Sequence, residues 1–74
     1  MSVDWNVCNS ALRESRGGRH VKAISILEAL LEDAESDNDR ATILLTQASC
    51  YSRLGNIVRA RELLEAARVH AQAD

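Results

Sequence analysis

The sequence predicts an all-α protein made of two antiparallel helical hairpins, four helices in total, that stack side by side as a short α-solenoid. Three observations support this fold class. The chain lacks proline and contains only 3 glycines, its apolar residues recur at helical spacing, and its two halves resemble each other. With 74 residues it has room for one small domain, which we place at residues 1–74.

The first hairpin is predicted from a capping residue, a glycine pair and a broad apolar stripe. Ser2 can act as the N-cap of the first helix. Gly17 and Gly18 predict its end, because glycine reaches a positive φ at little cost. The second helix is expected to start near Arg19 or His20. Its apolar residues cover more than one face, so we expect neighbours on two sides of it.

The second hairpin is bounded in the same way. Residues 36–39, Ser-Asp-Asn-Asp, interrupt the apolar pattern and offer N-cap candidates for a third helix over about residues 38–53. Gly55 predicts the end of that helix, and Asn56 can cap a fourth helix that continues towards Asp74. Because the connections are short, each helix is expected to return antiparallel to the one before it.

The most informative feature of the sequence is an internal repeat. A helix, a glycine turn and a second helix occur twice, which is typical of stacked helical hairpins. A shift of 37 residues aligns Ala11 with Ala48 and the triplet Leu27-Glu28-Ala29 with Leu64-Glu65-Ala66. The same shift aligns the longer motif Ser15-Arg16-x-Gly18-x-x-Val21-x-Ala23 with Ser52-Arg53-x-Gly55-x-x-Val58-x-Ala60.

The second unit, residues 41–74, resembles a tetratricopeptide repeat, in which small residues let paired helices approach and large residues fill the gaps between them. The first unit, residues 4–37, matches more loosely, with Glu14 where the second unit has Tyr51. Neither unit ends in a proline, and their spacing exceeds the usual repeat length of roughly 34 residues by three. The residues that carry the resemblance are Ala48, Tyr51, Gly55, Ala60, Leu64 and Ala67 in the second unit, and Ala11, Gly18, Ala23, Leu27 and Leu30 in the first.

The resemblance implies a non-catalytic protein–protein interaction module, an adaptor or scaffold that binds a peptide or a partner protein or associates with itself. An alternative is a small assembly chaperone or a regulatory fragment of a larger repeat protein. In the resembled family the ligand lies in a groove lined by the first helix of each unit. Carried over by position, the lining residues are Trp5, Cys8, Asn9, Leu12 and Arg16 in the first unit and Thr42, Leu45, Ser49, Ser52 and Arg53 in the second.

The two second helices differ at positions that face the next repeat in the resembled family. Ile24 and Leu31 correspond to Arg61 and Arg68, which predicts a solvent-facing end and an array that stops after two units. Two units are fewer than the roughly 3 that make an independent solenoid, so we expect the chain to form a homo-oligomer or to lie on another protein. The simplest form is a homodimer through the first helix, where no preceding repeat covers Trp5.

Charge and motif content argue against other functions. The formal net charge is -2, whereas a nucleic-acid binder presents a basic face. A helix-turn-helix over residues 46–64 is therefore the weaker alternative, because Glu62 and Glu65 dilute its arginines. The sequence shows no phosphate-binding loop, nucleophile–base pair or metal-ligand spacing. We therefore predict no enzyme activity, no catalytic residues, no cofactor and no metal site.

We expect a cytoplasmic location. The chain has no apolar run of about 18 residues, and it does not begin with a basic segment followed by an apolar one, which argues against membrane insertion and export. We therefore expect Cys8 and Cys50 to be reduced and mostly buried rather than joined in a disulfide.

Overall fold

A computed structural model describes residues 3–72, which form four helices and, within this range, no strand. The helices are α1 (Trp5–Arg16), α2 (His20–Asp33), α3 (Asp37–Leu54) and α4 (Ile57–Gln72). Their order along the chain is helix, short turn, helix in each half. The predicted all-α class, with two hairpins arranged as a short helical-repeat solenoid, is confirmed.

The start of α1 differs from the sequence prediction. The carboxylate of Asp4 accepts a hydrogen bond of 3.0 Å from the backbone N–H of Asn6, so Asp4 is the N-cap and the helix begins at Trp5. Ser2, predicted for the capping role, lies outside the described residues.

The starts of α3 and α4 lie where the sequence places them. The Ser36 hydroxyl accepts a hydrogen bond of 3.1 Å from the Asp39 N–H, and Asp37 and Asp39 both occupy the first turn of α3. Carboxylates at this position interact favourably with the positive end of the helix dipole. The side-chain oxygen of Asn56 accepts from the Arg59 N–H at 3.1 Å and caps α4. Local sequence chemistry therefore determines both helix starts.

The two glycine turns have the same geometry. Gly18 has a φ of +91° and Gly55 a φ of +93°, the left-handed region that favours glycine. The Gly18 N–H donates to the Ser15 carbonyl at 3.0 Å, and the Gly55 N–H donates to the Ser52 carbonyl at 3.1 Å. In both turns the next residue donates a 2.9 Å bond to the carbonyl five positions earlier. The repeat in the sequence is therefore a repeat of hydrogen bonds as well.

Helix α3 is the central element of the described fold. It contacts α4, α2 and, over a shorter stretch, α1, whereas α4 contacts only α3 within residues 3–72. Its residues form three stripes at helical spacing: an inner stripe towards α1 and α2, a hairpin stripe towards α4, and an outer stripe largely open to solvent. These are Ile43, Gln47 and Cys50 (inner), Leu44, Ala48 and Tyr51 (hairpin), and Leu45, Ser49 and Ser52 (outer).

Two apolar clusters form the core, one on each side of α3. Leu31 and Tyr51 pack against both clusters and join them. Because α2 contacts α1 on one side and α3 on the other, the predicted two-sided packing of α2 is confirmed. The first cluster comprises Val3, Cys8, Ala11, Ala23, Ile24, Leu27, Leu30, Ala34, Ile43 and Cys50, and the second comprises Leu44, Ala48, Leu63 and Ala67.

A polar contact joins α3 and α4 at the end of the second hairpin that lies opposite the Gly55 turn. The Nδ1 atom of His70, in the last turn of α4, lies 2.8 Å from Oδ1 of Asp37 in the first turn of α3. Nη1 of Arg40 lies 3.6 Å from the same oxygen. The α3–α4 hairpin is therefore linked both at the Gly55 turn and at its open end.

Cys8 and Cys50 are buried free thiols, as predicted. Across residues 3–72, the structure contains no helix with the length and apolar character needed to cross a bilayer.

Candidate functional site

A groove of about 370 Å³ lies between α3 and α4, near the Gly55 turn. The outer stripe of α3 forms one wall, and the first two turns of α4 form the other. Three large apolar side chains are about half exposed there, with 51% of Leu45, 49% of Ile57 and 48% of Leu64 open to solvent. We call this feature the open groove; it is lined by Leu45, Ala48, Ser49, Ser52, Ile57, Ala60, Arg61 and Leu64.

Small residues shape the floor of the open groove. Ala48 on α3 and Ala60 on α4 are both buried, and their single methyl groups let the two helices approach closely. The Gly55 turn and the Asn56 cap then place Ile57 at the start of α4, beside the end of α3. The larger side chains on either side form the rims of the concave surface.

The first hairpin contains the equivalent surface, which α3 covers. There the residues corresponding to Leu45, Arg61 and Leu64 are Cys8, Ile24 and Leu27, with exposures of 4%, 7% and 0%. All three belong to the cluster that includes Ile43 and Cys50 from the inner stripe of α3. We call this surface the filled slot; by the 37-residue shift it comprises Cys8, Ala11, Leu12, Ser15, His20, Ala23, Ile24 and Leu27.

The filled slot and the open groove differ in chemistry as well as in cover. In the filled slot, His20 Nδ1 and the Ser15 hydroxyl form a hydrogen bond of 2.9 Å. In the open groove Ile57 takes the place of that histidine, so the end of the groove near the turn is more apolar. An arginine, Arg61, stands in place of the buried Ile24.

Arg61 is the single charged residue that lines the open groove. Within residues 3–72 its guanidinium makes no ion pair and no side-chain hydrogen bond. Glu65, one turn further along α4, pairs instead with Arg68. That pairing lowers the pKa of the Glu65 carboxyl and raises the pKa of Arg68, because each charge stabilises the other. Arg61 therefore leaves a positive charge free for a ligand.

The structure brings together three of the ten residues predicted to contact a ligand. Leu45, Ser49 and Ser52 line the open groove. The other exposed ones, Trp5, Asn9 and Arg16 on α1 and Thr42 and Arg53 on α3, lie outside it, and Leu12 is half-buried.

Cys8 is the one predicted ligand contact that does not reach the surface. It is buried in the cluster beneath α3, and burial raises the pKa of its thiol. The thiol therefore stays protonated, and Cys8 has the role of a small packing residue.

The contribution of α4 to the groove was not predicted from the sequence. The predicted ligand contacts lie on the first helix of each unit, whereas Ile57, Ala60, Arg61 and Leu64 lie on the second helix of unit two. The signal that points to them is the exchange of Ile24 for Arg61 between the two units. That exchange indicates that the two positions have different surroundings: Ile24 packs in the core beneath α3, whereas Arg61 is exposed.

Two other predictions concern residues away from the groove. Trp5 is exposed on α1, and a homodimer through α1 stays a prediction. In the part of the chain that the structure describes, no group of three or more His, Cys, Asp or Glu side chains is arranged to hold a metal ion.

Comparison with known proteins identifies the repeat. A family model described as tetratricopeptide repeat matches residues 16–74, which is most of the chain and includes both glycine turns. No curated protein and no solved structure shows significant similarity to the chain.

Proposed function

Because the chain belongs to the tetratricopeptide-repeat family, whose members generally mediate protein–protein interaction, we propose that it is a non-catalytic protein-binding module that holds its partner in the open groove. Its role is that of an adaptor or scaffold. The observation that carries the proposal is the half exposure of Leu45, Ile57 and Leu64 around one concavity. The equivalent surface of the same chain is covered by a helix.

Exposed apolar surface of this kind favours a macromolecular partner. An apolar concavity with a few polar groups at its rim is the usual form of a binding site, and burial of its apolar area supplies the driving force for association. Fully burying one Leu or Ile side chain stabilises a complex by about 1.5–3 kcal/mol, so half-exposed side chains have part of that energy still to gain. Three of them surround this groove.

The polar groups of the groove supply binding contacts. Ser49 and Ser52 offer hydroxyl groups that donate and accept hydrogen bonds, and Arg61 offers a planar cation suited to a carboxylate. This set recognises a polypeptide that combines an apolar surface with an acidic group. The open groove runs between two helices, and this shape suits a peptide segment.

The proposal is tested by two neighbouring substitutions at the start of α4. Ile57 lines the open groove, whereas Val58 is exposed outside it. Aspartate at either position lies in the first helical turn, where the helix dipole favours it, so neither change should unfold α4. We expect Ile57→Asp to weaken partner binding at least about tenfold, because a charge then replaces an apolar contact. We expect Val58→Asp to leave binding unchanged.

The measurement is quantitative affinity enrichment from the native cell, with wild-type protein and both variants at equal concentration. Circular dichroism of each variant confirms that the helices are intact. Equal enrichment with Ile57→Asp and wild type, or an equal loss with both variants, would contradict the location of the site.

A further inference from the structure

We propose that the occupant of the open groove is an α-helix of a partner polypeptide, seated as α3 is seated in the filled slot, with an acidic side chain facing Arg61. This inference rests on the proposed function and specifies the partner of the same site. It follows from the repeat within the chain, from two changes of side-chain volume and from one uncompensated charge.

The packing of α3 in the filled slot is a model, within the same chain, for how a helix binds in the open groove. The filled slot and the open groove have equivalent floors, Ala11 and Ala23 in one and Ala48 and Ala60 in the other. Their glycine turns have nearly identical φ angles and hydrogen bonds. The object that fits the first surface is an α-helix, so the second surface presents the curvature and spacing that fit an α-helix as well.

The inner stripe of α3 shows what such a helix presents. Ile43, Gln47 and Cys50 follow one another at spacings of four and three residues, and all three are buried. A partner helix therefore needs residues that can be buried at the same spacing, most of them apolar.

Two exchanges between the surfaces alter the required shape. Leu45 stands in place of Cys8 and takes up more room, whereas Ser49 stands in place of Leu12 and leaves more room. Because packed interfaces have few voids, the partner helix should carry a small residue beside Leu45 and its bulkiest residue beside Ser49. The α3 sequence is therefore a scaffold for such a helix, although not its best-fitting form.

The charge of the groove specifies a further group on the partner. A helix that covers Arg61 removes its guanidinium from water, and an arginine has no neutral form at physiological pH. No carboxylate within residues 3–72 pairs with this side chain. The partner helix must therefore supply an Asp or Glu, and a bidentate pair with the guanidinium fixes its register.

The first helix of a second copy does not meet these requirements. By the repeat, α1 presents Asn6, Ser10 and Arg13 where α3 presents its inner stripe. These three residues are polar, and Nη2 of Arg13 donates a hydrogen bond to the Ser10 hydroxyl at 3.3 Å. Head-to-tail stacking would place this polar, cationic face against an apolar groove that contains Arg61, which is unfavourable.

The probe for the experiment is a hydrocarbon-stapled, fluorescein-labelled peptide of residues 36–54, which keeps the inner stripe and has its other apolar residues replaced by Gln. Four versions each carry one Glu, at position 40, 46, 47 or 54, which lie within the inner stripe, beside it or at its ends. Binding to the full chain is measured by fluorescence anisotropy.

We expect one Glu version to bind at least tenfold more tightly than the parent peptide. That gain should disappear with Arg61→Gln. With Arg61→Glu, the preference should reverse towards a Lys at the same peptide position. Val58→Asp serves as the control and should leave every affinity unchanged. If no peptide binds, or if the gain from Glu survives Arg61→Gln, the proposal is overturned.

Other results distinguish this inference from the proposed function. If Ile57→Asp loses the cellular partner while no peptide binds, the helical mode is wrong and the binding site stands. If the peptides bind while Ile57→Asp retains the cellular partner, the proposed function is wrong at this site. Sedimentation of the wild-type chain tests a second copy as occupant: oligomers that Ile57→Asp dissociates would overturn the proposal.

Discussion

The filled slot and the open groove are equivalent surfaces of the two hairpins; α3 covers the first, and the second is open to solvent. Leu27 is fully buried in the first, whereas Leu64, its counterpart 37 residues later, is about half exposed in the second. Both leucines lie on the second helix of a hairpin, and each of these helices follows a turn with a left-handed glycine. The difference teaches that a repeat position does not have a fixed role: α3 makes one copy part of the core and leaves the other free to bind.

The exchanges between the two copies follow this division. Residues at the helix crossings are kept, as Ala23 and Ala60 show. Residues that face a neighbour change, and the buried Ile24 becomes the exposed Arg61. The hairpin geometry is therefore preserved while the surface chemistry differs.

The largest expected effect comes from truncating the two equivalent leucines. Leu27→Ala removes a fully enclosed side chain and should lower the free energy of unfolding by about 2–5 kcal/mol. Leu64→Ala removes a half-exposed side chain and should cost less than about 1 kcal/mol, because water already reaches the site. Urea denaturation followed by circular dichroism measures both values. Equal losses would show that the two surfaces are equally covered in solution.

A smaller difference is expected when the two crossing alanines are enlarged. Ala23→Leu overfills the space under α3 and should destabilise the chain by about 1–3 kcal/mol. Ala60 lines the open groove, so part of a new side chain can extend into it, and Ala60→Leu should cost less than Ala23→Leu. Thermal melting compares the two variants. A greater loss with Ala60→Leu would indicate that the floor of the groove is closed.

The smallest effect concerns acid sensitivity at the two turns. Glu14 pairs with Arg19 and lies 3.9 Å from Lys22, and its hydrogen bond with Arg19 lowers the pKa of its carboxyl. At the equivalent positions, the guanidinium of Arg59 lies 5.9 Å from the ring centre of Tyr51, a contact without a carboxylate. The first turn therefore depends on a group that acid neutralises, and the second does not.

A pKa that is lower in the folded state than in the unfolded state stabilises the fold above the unfolded value, about 4.3 for glutamate, and this contribution is lost as pH falls through the folded value. Glu14→Gln should therefore lower the melting temperature slightly at pH 7. The gap from wild type should close as the pH falls below about 4. Melting curves across this range measure it; a gap that widens towards acid would contradict the assigned ion pairs.

Much of the fold was predictable because local chemistry determines it. Gly18, Gly55, Ser36 and Asn56 each carry a turn or cap signal, and each lies at the helix end that it predicts. The start of α1 was not predictable in the same way, because Ser2 and Asp4 are both competent caps and only two residues apart.

The candidate site was predicted in part, since its composition depends on which surfaces meet. Apolar spacing placed Ile57 and Leu64 on one stripe of a helix, but it does not reveal whether a neighbour covers that stripe. Cys8 and Leu45 occupy equivalent positions, yet one is enclosed and the other exposed. This difference arises because α3 packs against the first hairpin, and such tertiary packing cannot be derived from local sequence patterns.

The contact between His70 and Asp37 has a consequence for how the groove admits a ligand. The glycine turn at one end and this contact at the other hold α3 and α4 together, which favours a groove of fixed width. The aperture is thus set before any ligand arrives, and little conformational entropy is lost on docking. The groove then selects ligands by their width. An extended strand that is too narrow to contact both walls, or a segment that is too wide to enter, binds weakly.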